Sequence, residues 1–325
     1  MPTVNLASRR WDHVVPVALG DVSIEGVRLV LQDQTPDLWL DPTIDGGEAS
    51  LSRYIRARAL GDHSITALPI FLMTGFRHRC IITSKSSRLE SASELRNGRI
   101  GLTGWADTGN VWTRAIVRSD GVDMSEAEWT LGRLTADHPI FDRTGGVALP
   151  ANVTHSIDDE SLMSQLARGK LDAVMTPFMP GGFFSRSSQF RTLYRDVDDE
   201  EANYYAGTGF VPGIHVLGIK TEILDSRPGF AQQLVNLFER AKLLSFERRH
   251  KLQDVLPLQN QAIARSVQTF GEDWMPYGIS RSRTMIDALQ RELVAQQLMP
   301  EPLDISELFP YALDPELQSS NLEGQ

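Results

Sequence analysis

The chain has 325 residues, enough for two packed domains, with 41% hydrophobic and 23% charged residues, the balance of an ordinary globular protein. A net charge of -10 excludes a nucleic-acid surface, which relies on clustered cations, and the single cysteine, Cys80, excludes an internal disulfide or a thiolate metal cluster. No stretch stays apolar for the ~20 residues of a membrane span, and the first ten residues have no apolar core behind their charges, so a cytoplasmic protein without membrane partners is expected. Any anionic ligand must be met by local cations. These are mostly arginines, since lysine occurs only at positions 85, 170, 220, 242 and 251.

In chain order, Val14 to Leu19 and Val27 to Leu31 read as short strands, followed by irregular chain at Pro36 and Pro42. Asp45-Gly46-Gly47-Glu48-Ala49-Ser50 reads as the opening of a helix with Leu51, Tyr54 and Ile55 inward. Its start, with Glu48 and Ser50, is a candidate anion site or an ordinary capped helix. Ile65 to Pro69 and Arg79 to Thr83 read as strands flanking a turn that carries Phe76-Arg77-His78. That pair sets a fixed cation beside a group that titrates near neutrality, which suits holding a carboxylate while moving a proton. A solvated arginine beside a hydrogen-bonded histidine explains the same three residues equally well.

Ser91-Ala92-Ser93-Glu94 is a capping box for a short helix stopped by Gly98. A strand from Arg99 to Leu102 then runs through Asp107-Thr108-Gly109-Asn110 into a helix with Val111, Trp112, Ala115 and Ile116 inward. This arrangement presents backbone donors to a ligand carboxylate. No GxGxxG or GxxxxGK[ST] motif is present, so no nucleotide cofactor is indicated. Further elements are a strand from Glu128 to Leu131, a loop from Asp137 to Val153, a helix from Asp158 to Arg168 and a strand within Gly169 to Thr176. The Gly- and Pro-rich stretch Thr176 to Ser188 has the character of a lid or rim. A strand at Gly213 to Ile219 carries His215, and helices at Pro228 to Glu247, 257–269 and 280–297 close the chain, with a tail at 314–325. Alternating strands and helices give an α/β class.

Five segments together resemble the 4,5-dihydroxyphthalate decarboxylase family. They are Phe76-Arg77-His78, Gly101 to Arg114, Glu128-Trp129, Val211-Pro212-Gly213-Ile214-His215 and Phe270-Gly271-Glu272-Asp273-Trp274-Met275-Pro276-Tyr277-Gly278, and the likeness extends over nearly the whole chain. Departures lie at Leu72-Met73-Thr74 and at Arg79, beside a retained Arg-His pair. The resemblance implies a two-lobed, type 2 periplasmic-binding-protein-like fold with an interdomain cleft. Residues 1–98 plus 213–325 would form one lobe and 99–212 the other, with Arg77, His78 and His215 in the first lobe and the Thr108 helix start in the second.

It also implies a cofactor-independent decarboxylase of a hydroxylated aromatic carboxylate, with a small aromatic acid as its partner. A homo-oligomer is compatible with this. Arg77 would hold a carboxylate and His78 or His215 would move the proton. The 108–110 helix start, with Arg114, would take the second carboxylate, and Glu48 and Asp107 would meet the phenols. Ser50, Gly109 and Trp112 complete the expected substrate contacts, although Trp112 also reads as core and Asp107 as a plain N-cap. No metal is expected. A solute-binding protein for a small carboxylate is the alternative.

Overall fold

The structure, a computed structural model, describes residues 3–139, 142–157 and 160–316. Its contacts divide into two compact units, one of Met1–Thr74, Gly213–Asp287 and Leu303–Gln325, the other of Gly75–Pro212 and Ala288–Pro302.

Unit 1 is built on five strands in the order β2-β1-β3-β11-β4, with β1 Val4–Arg9, β2 Val27–Gln32, β3 Gly46–Ser50, β4 Ile65–Thr74 and β11 Gly213–Lys220. β1 runs parallel to β2 and β3, whereas β11 runs antiparallel to β3 and β4. The long helix α7, Phe230–Lys251, lays Leu234, Leu237, Phe238 and Ala241 against Leu6, Leu68, Ile70 and Leu217 of this sheet. Buried Lys242 on α7 pairs with Asp273 at 2.9 Å and Glu239 at 3.0 Å, tying down the aromatic Phe270 to Gly278 connector. Pairing between β4 and β11 shifts register between Leu68↔Leu217 and Met73↔His215, a stretch that includes Pro69, which has no N–H to give a ladder.

Unit 2 has six strands in the order β10-β5-β9-β6-β7-β8, with β5 Ile81–Ser84, β6 Arg99–Leu102, β7 Glu128–Leu131, β8 Val153–His155, β9 Ala173–Met175 and β10 Phe190–Thr192. Helix α3, Thr108–Ser119, follows β6, and α4, Leu162–Ala167, packs Leu162, Met163 and Leu166 with Ile82 and Val174. Helix α5, Val197–Thr208, lies just before the return to unit 1.

Several expectations are corrected. Val14 to Leu19 is a helix, α1 Val15–Leu19, because Pro16 sits in its first turn, where the missing N–H costs nothing, and Gly20 ends it at φ 80°. The break between units lies at Thr74 rather than at residue 98, because β5 pairs with β9 and β10 in the second sheet. Arg77 and His78 therefore belong to unit 2. Of the expected tail, 314–316 is anchored, since Asp314 accepts from the Ser280 amide and the Glu316 amide donates to Asn236. Residues 317–325, and the expected helix start at 158–159, lie outside the described residues. Among the described residues no helix is long and apolar enough to cross a membrane.

The Asp45 to Ser50 segment does not open a helix. Gly46 and Gly47 are strand residues squeezed between neighbours: a Cβ on Gly46 would stand 2.7 Å from the Gly218 carbonyl oxygen, and one on Gly47, at φ 152°, 2.0 Å from that of Ala7. The glycines let β3 fit between β1 and β11, and helix α2, Leu51–Ala59, starts only after Ser50. Gly47→Ala should therefore cost about 2–4 kcal/mol of stability. Urea unfolding measures it, and an unchanged midpoint would show that close approach does not fix this glycine.

Candidate functional site

Strand pleating brings the unit 1 residues together. β3 and β11 pair His215 with Ser50 and Leu217 with Glu48, so Glu48 is the diagonal neighbour of His215 on one sheet face. The Glu48 Oε1 lies 2.6 Å from His215 Nδ1. Arg9, at the end of β1, donates to the same carboxylate from Nε at 3.0 Å, from Nη2 at 2.5 Å and from its backbone amide at 2.9 Å, and Ser8 Oγ donates at 3.3 Å. Burial alone would push the Glu48 carboxyl up, but hydrogen bonds and charge from His215 and Arg9 outweigh it and hold the group well below the usual carboxylate range. Glu48 is therefore an ionised, fully buried carboxylate.

Arg9 Nη2 also lies 2.8 Å from His215 Nδ1, and that nitrogen cannot both accept from Arg9 and donate to Glu48. The ionised carboxylate at 2.6 Å is the stronger partner, so Nδ1 carries a hydrogen. Arg9 was not expected from the sequence. Its only signal was an arginine at the end of a strand-like run. Ser50 caps α2 by accepting from the Arg53 amide.

The unit 2 residues gather at the first turn of α3. Arg77 is completely buried and precedes a short 3-10 turn, His78–Cys80. Its Nε donates to the Gly109 carbonyl at 3.2 Å and to Thr113 Oγ1 at 3.4 Å, and Nη2 donates to the Thr176 carbonyl at 3.3 Å. Nη1 is buried with no hydrogen-bond acceptor among the described residues. A Cβ on Gly109 would stand 3.0 Å from the guanidinium, so glycine is what lets Arg77 lie on the helix. Asp107 is the N-cap of α3, and its carboxylate fills the space where Gly104 lacks a side chain.

Two expected ligand contacts are instead packed inside unit 2. Trp112 is buried against Phe210, ring centroids 5.8 Å apart. Arg114 is fully buried, stacks 4.1 Å from the Trp105 ring, and donates to Gln296 Oε1 at 2.9 Å and to the Trp105 carbonyl at 2.6 Å. Burial lowers its pKa, yet a guanidinium stays cationic at neutral pH.

His78 lies in an aromatic box, with the rings of Tyr194 and Tyr204 each 5.4 Å away. Its Nδ1 is buried without a hydrogen-bond partner among the described residues, and burial pulls its pKa from 6.5 to about 4, so it is neutral at pH 7. Among the described residues no group of three or more His, Cys, Asp or Glu could hold a metal ion.

No family model matches the chain. It is 26% identical over 317 residues to the 4,5-dihydroxyphthalate decarboxylase of Comamonas testosteroni, covering 94% of this chain and 96% of that one. It is 29% identical over 220 residues to the enzyme of the same name from Pseudomonas putida, covering 64% and 83%. The chain is similar in sequence to two 4,5-dihydroxyphthalate decarboxylases. Among solved structures, the periplasmic aliphatic sulphonate binding protein SsuA of Escherichia coli superposes with a TM-score of 0.56 at 13% identity, covering 100% of this chain and 96% of that one. The chain thus has the α/β fold of the periplasmic binding proteins.

The two buried neutral histidines set an acid-side prediction. His13, which burial and the Arg249 charge also hold at about 4, behaves like His78. Unfolding frees both to take up protons below their ordinary value of 6.5, so stability is full at higher pH and is lost as pH falls from 6.5 towards 4. At about pH 5.5 each should cost roughly 1.4 kcal/mol. Urea melts of wild type and His78→Asn near neutrality and at that pH should show a smaller loss in the variant, and equal losses would contradict the buried neutral ring.

Proposed function

We propose that this chain decarboxylates a hydroxylated aromatic carboxylate such as 4,5-dihydroxyphthalate, giving protocatechuate and carbon dioxide without a cofactor. The observation that carries the reading is its relationship, over 94% of its length, to an enzyme of that name. The side chains fit the chemistry.

Direct loss of carbon dioxide would leave an aryl anion, so the ring carbon bearing the carboxylate is protonated first. A phenolic hydroxyl para to that carbon gives up its proton, and its oxygen pushes electron density into the ring. The carbon takes a proton, the bond to the carboxylate breaks, and its electron pair restores the aromatic ring as carbon dioxide leaves. His215 is the proton donor in this assignment. Glu48 orients it and stabilises its cationic form, as an ionised carboxylate at 2.6 Å does. His78, neutral at pH 7, carries no imidazolium proton to give. Arg77 holds a substrate carboxylate through Nη1, with the 108–110 start of α3 as a second anion-binding element. Arg114 positions α3 through Trp105 and Gln296.

His215→Ala and Glu48→Gln should each lower kcat about 10²-fold or more, and His78→Asn considerably less. Carbon dioxide release and chromatography of the product from 4,5-dihydroxyphthalate measure this. A His215→Ala enzyme as active as wild type would refute the assignment. The second reading, a solute-binding protein, is favoured by the fold of SsuA. Saturable binding of hydroxylated benzoates and phthalates with no release from any of them would establish it.

A further inference from the structure

Glu201 is a half-buried acid, its Oε1 out of contact with solvent, that the assignment above does not use. It lies on α5, three residues before Tyr204, so the two share one helix face, and that face is set against the turn carrying Arg77 and His78. Tyr204 meets His78 at 5.4 Å and Phe76 at 6.0 Å. Glu201 Oε1 is buried and has no hydrogen-bond partner among the described residues, just as Arg77 Nη1 is a buried donor without an acceptor. The charges acting on Glu201 are Arg79 and Arg77 from the turn and Asp198 from its own helix. A buried acceptor and a buried donor that stay unpaired around one turn suit a ligand with both an anionic oxygen and a hydroxyl hydrogen.

We infer that Glu201 is the acceptor for a ring hydroxyl of the aromatic acid held at Arg77, so that it selects hydroxylated over plain benzoates. This rests on the decarboxylase reading only for the class of ligand. In turnover the same carboxylate would take the phenol proton as the ring carbon is protonated and return it to the oxygen once carbon dioxide has left. Burial raises the Glu201 carboxyl to about 7, so the group is poised between its two forms at neutrality.

Calorimetric titration of the full-length protein with benzoate and with 3,4-dihydroxybenzoate tests this. Wild type should prefer the dihydroxy acid by about tenfold or more, the scale of a hydrogen bond to a charged group. That preference should grow between about pH 6 and 8 as Glu201 ionises. Glu201→Gln should lose most of it and its pH dependence, with benzoate affinity unchanged, and Glu201→Asp should restore part. Equal loss for both ligands would make Glu201 a support for the turn, and retained preference in Glu201→Gln, or none in wild type, would overturn the inference. Hydroxyl preference that depends on Glu201 without carbon dioxide release would refute the decarboxylase reading alone; release with preference intact in Glu201→Gln would refute this inference alone.

Discussion

A fully buried ionised carboxylate, Glu48, is the constraint around which unit 1 is arranged. Leaving such a charge unpaired costs several kcal/mol, so the chain around it must supply donors. Three strands do so. β1 brings Ser8 and both the backbone and the side chain of Arg9, β11 brings His215, and β3 carries the carboxylate itself between two close neighbours. The Gly46-Gly47 pair is the geometric condition for this, because any side chain there would push the three strands apart. The orientation of His215 is therefore fixed by the same contacts that satisfy the fold.

The two histidines of the recurring motifs show how environment divides one residue type between roles. His215 has the ionised Glu48 carboxylate at its Nδ1, with the Arg9 guanidinium close by. His78 is buried between two tyrosine rings with no carboxylate partner among the described residues, and burial disfavours the charged ring. Sequence offers no means of telling these apart, since both follow short apolar runs. The distinction arises from neighbours at 48, 194 and 204, distant in the chain.

Much of the fold was legible because periodicity and local chemistry agreed. The strand Glu128–Leu131, the capping box at Ser91 and Glu94, and helix α3 after Asp107 all lie where the residues placed them. The errors share a cause. Val14 to Leu19 looked like a strand by β-branching, but Pro16 made it a helix, and Gly46-Gly47 looked like a helix start although close strand packing required them. The unit boundary was misplaced because nothing local says that β5 pairs with β9 rather than β4. At the site, Arg77, His78, Glu48 and His215 could be singled out, and the resemblance gave them roles. Arg9 and Glu201 could not be found, because each matters only through partners the fold brings to it.

Unit 2 buries two guanidinium groups, Arg77 and Arg114, without a carboxylate hydrogen-bonded to either among the described residues. A lysine so placed would shed its proton, because burial opposes its charge and a neutral amine is within reach of its pKa. Arginine cannot escape in that way, so its charge has to be spread over acceptors, here the carbonyls of Gly109, Thr176 and Trp105. Carbonyls solvate a cation without cancelling it. Among the described residues each group keeps its Nη1 buried and unpartnered, so the charge beside the first turns of α3 remains positive. A helix start, where backbone N–H groups already favour anions, thereby lies beside two fixed cations whose structural hydrogen bonds run through Nε and Nη2.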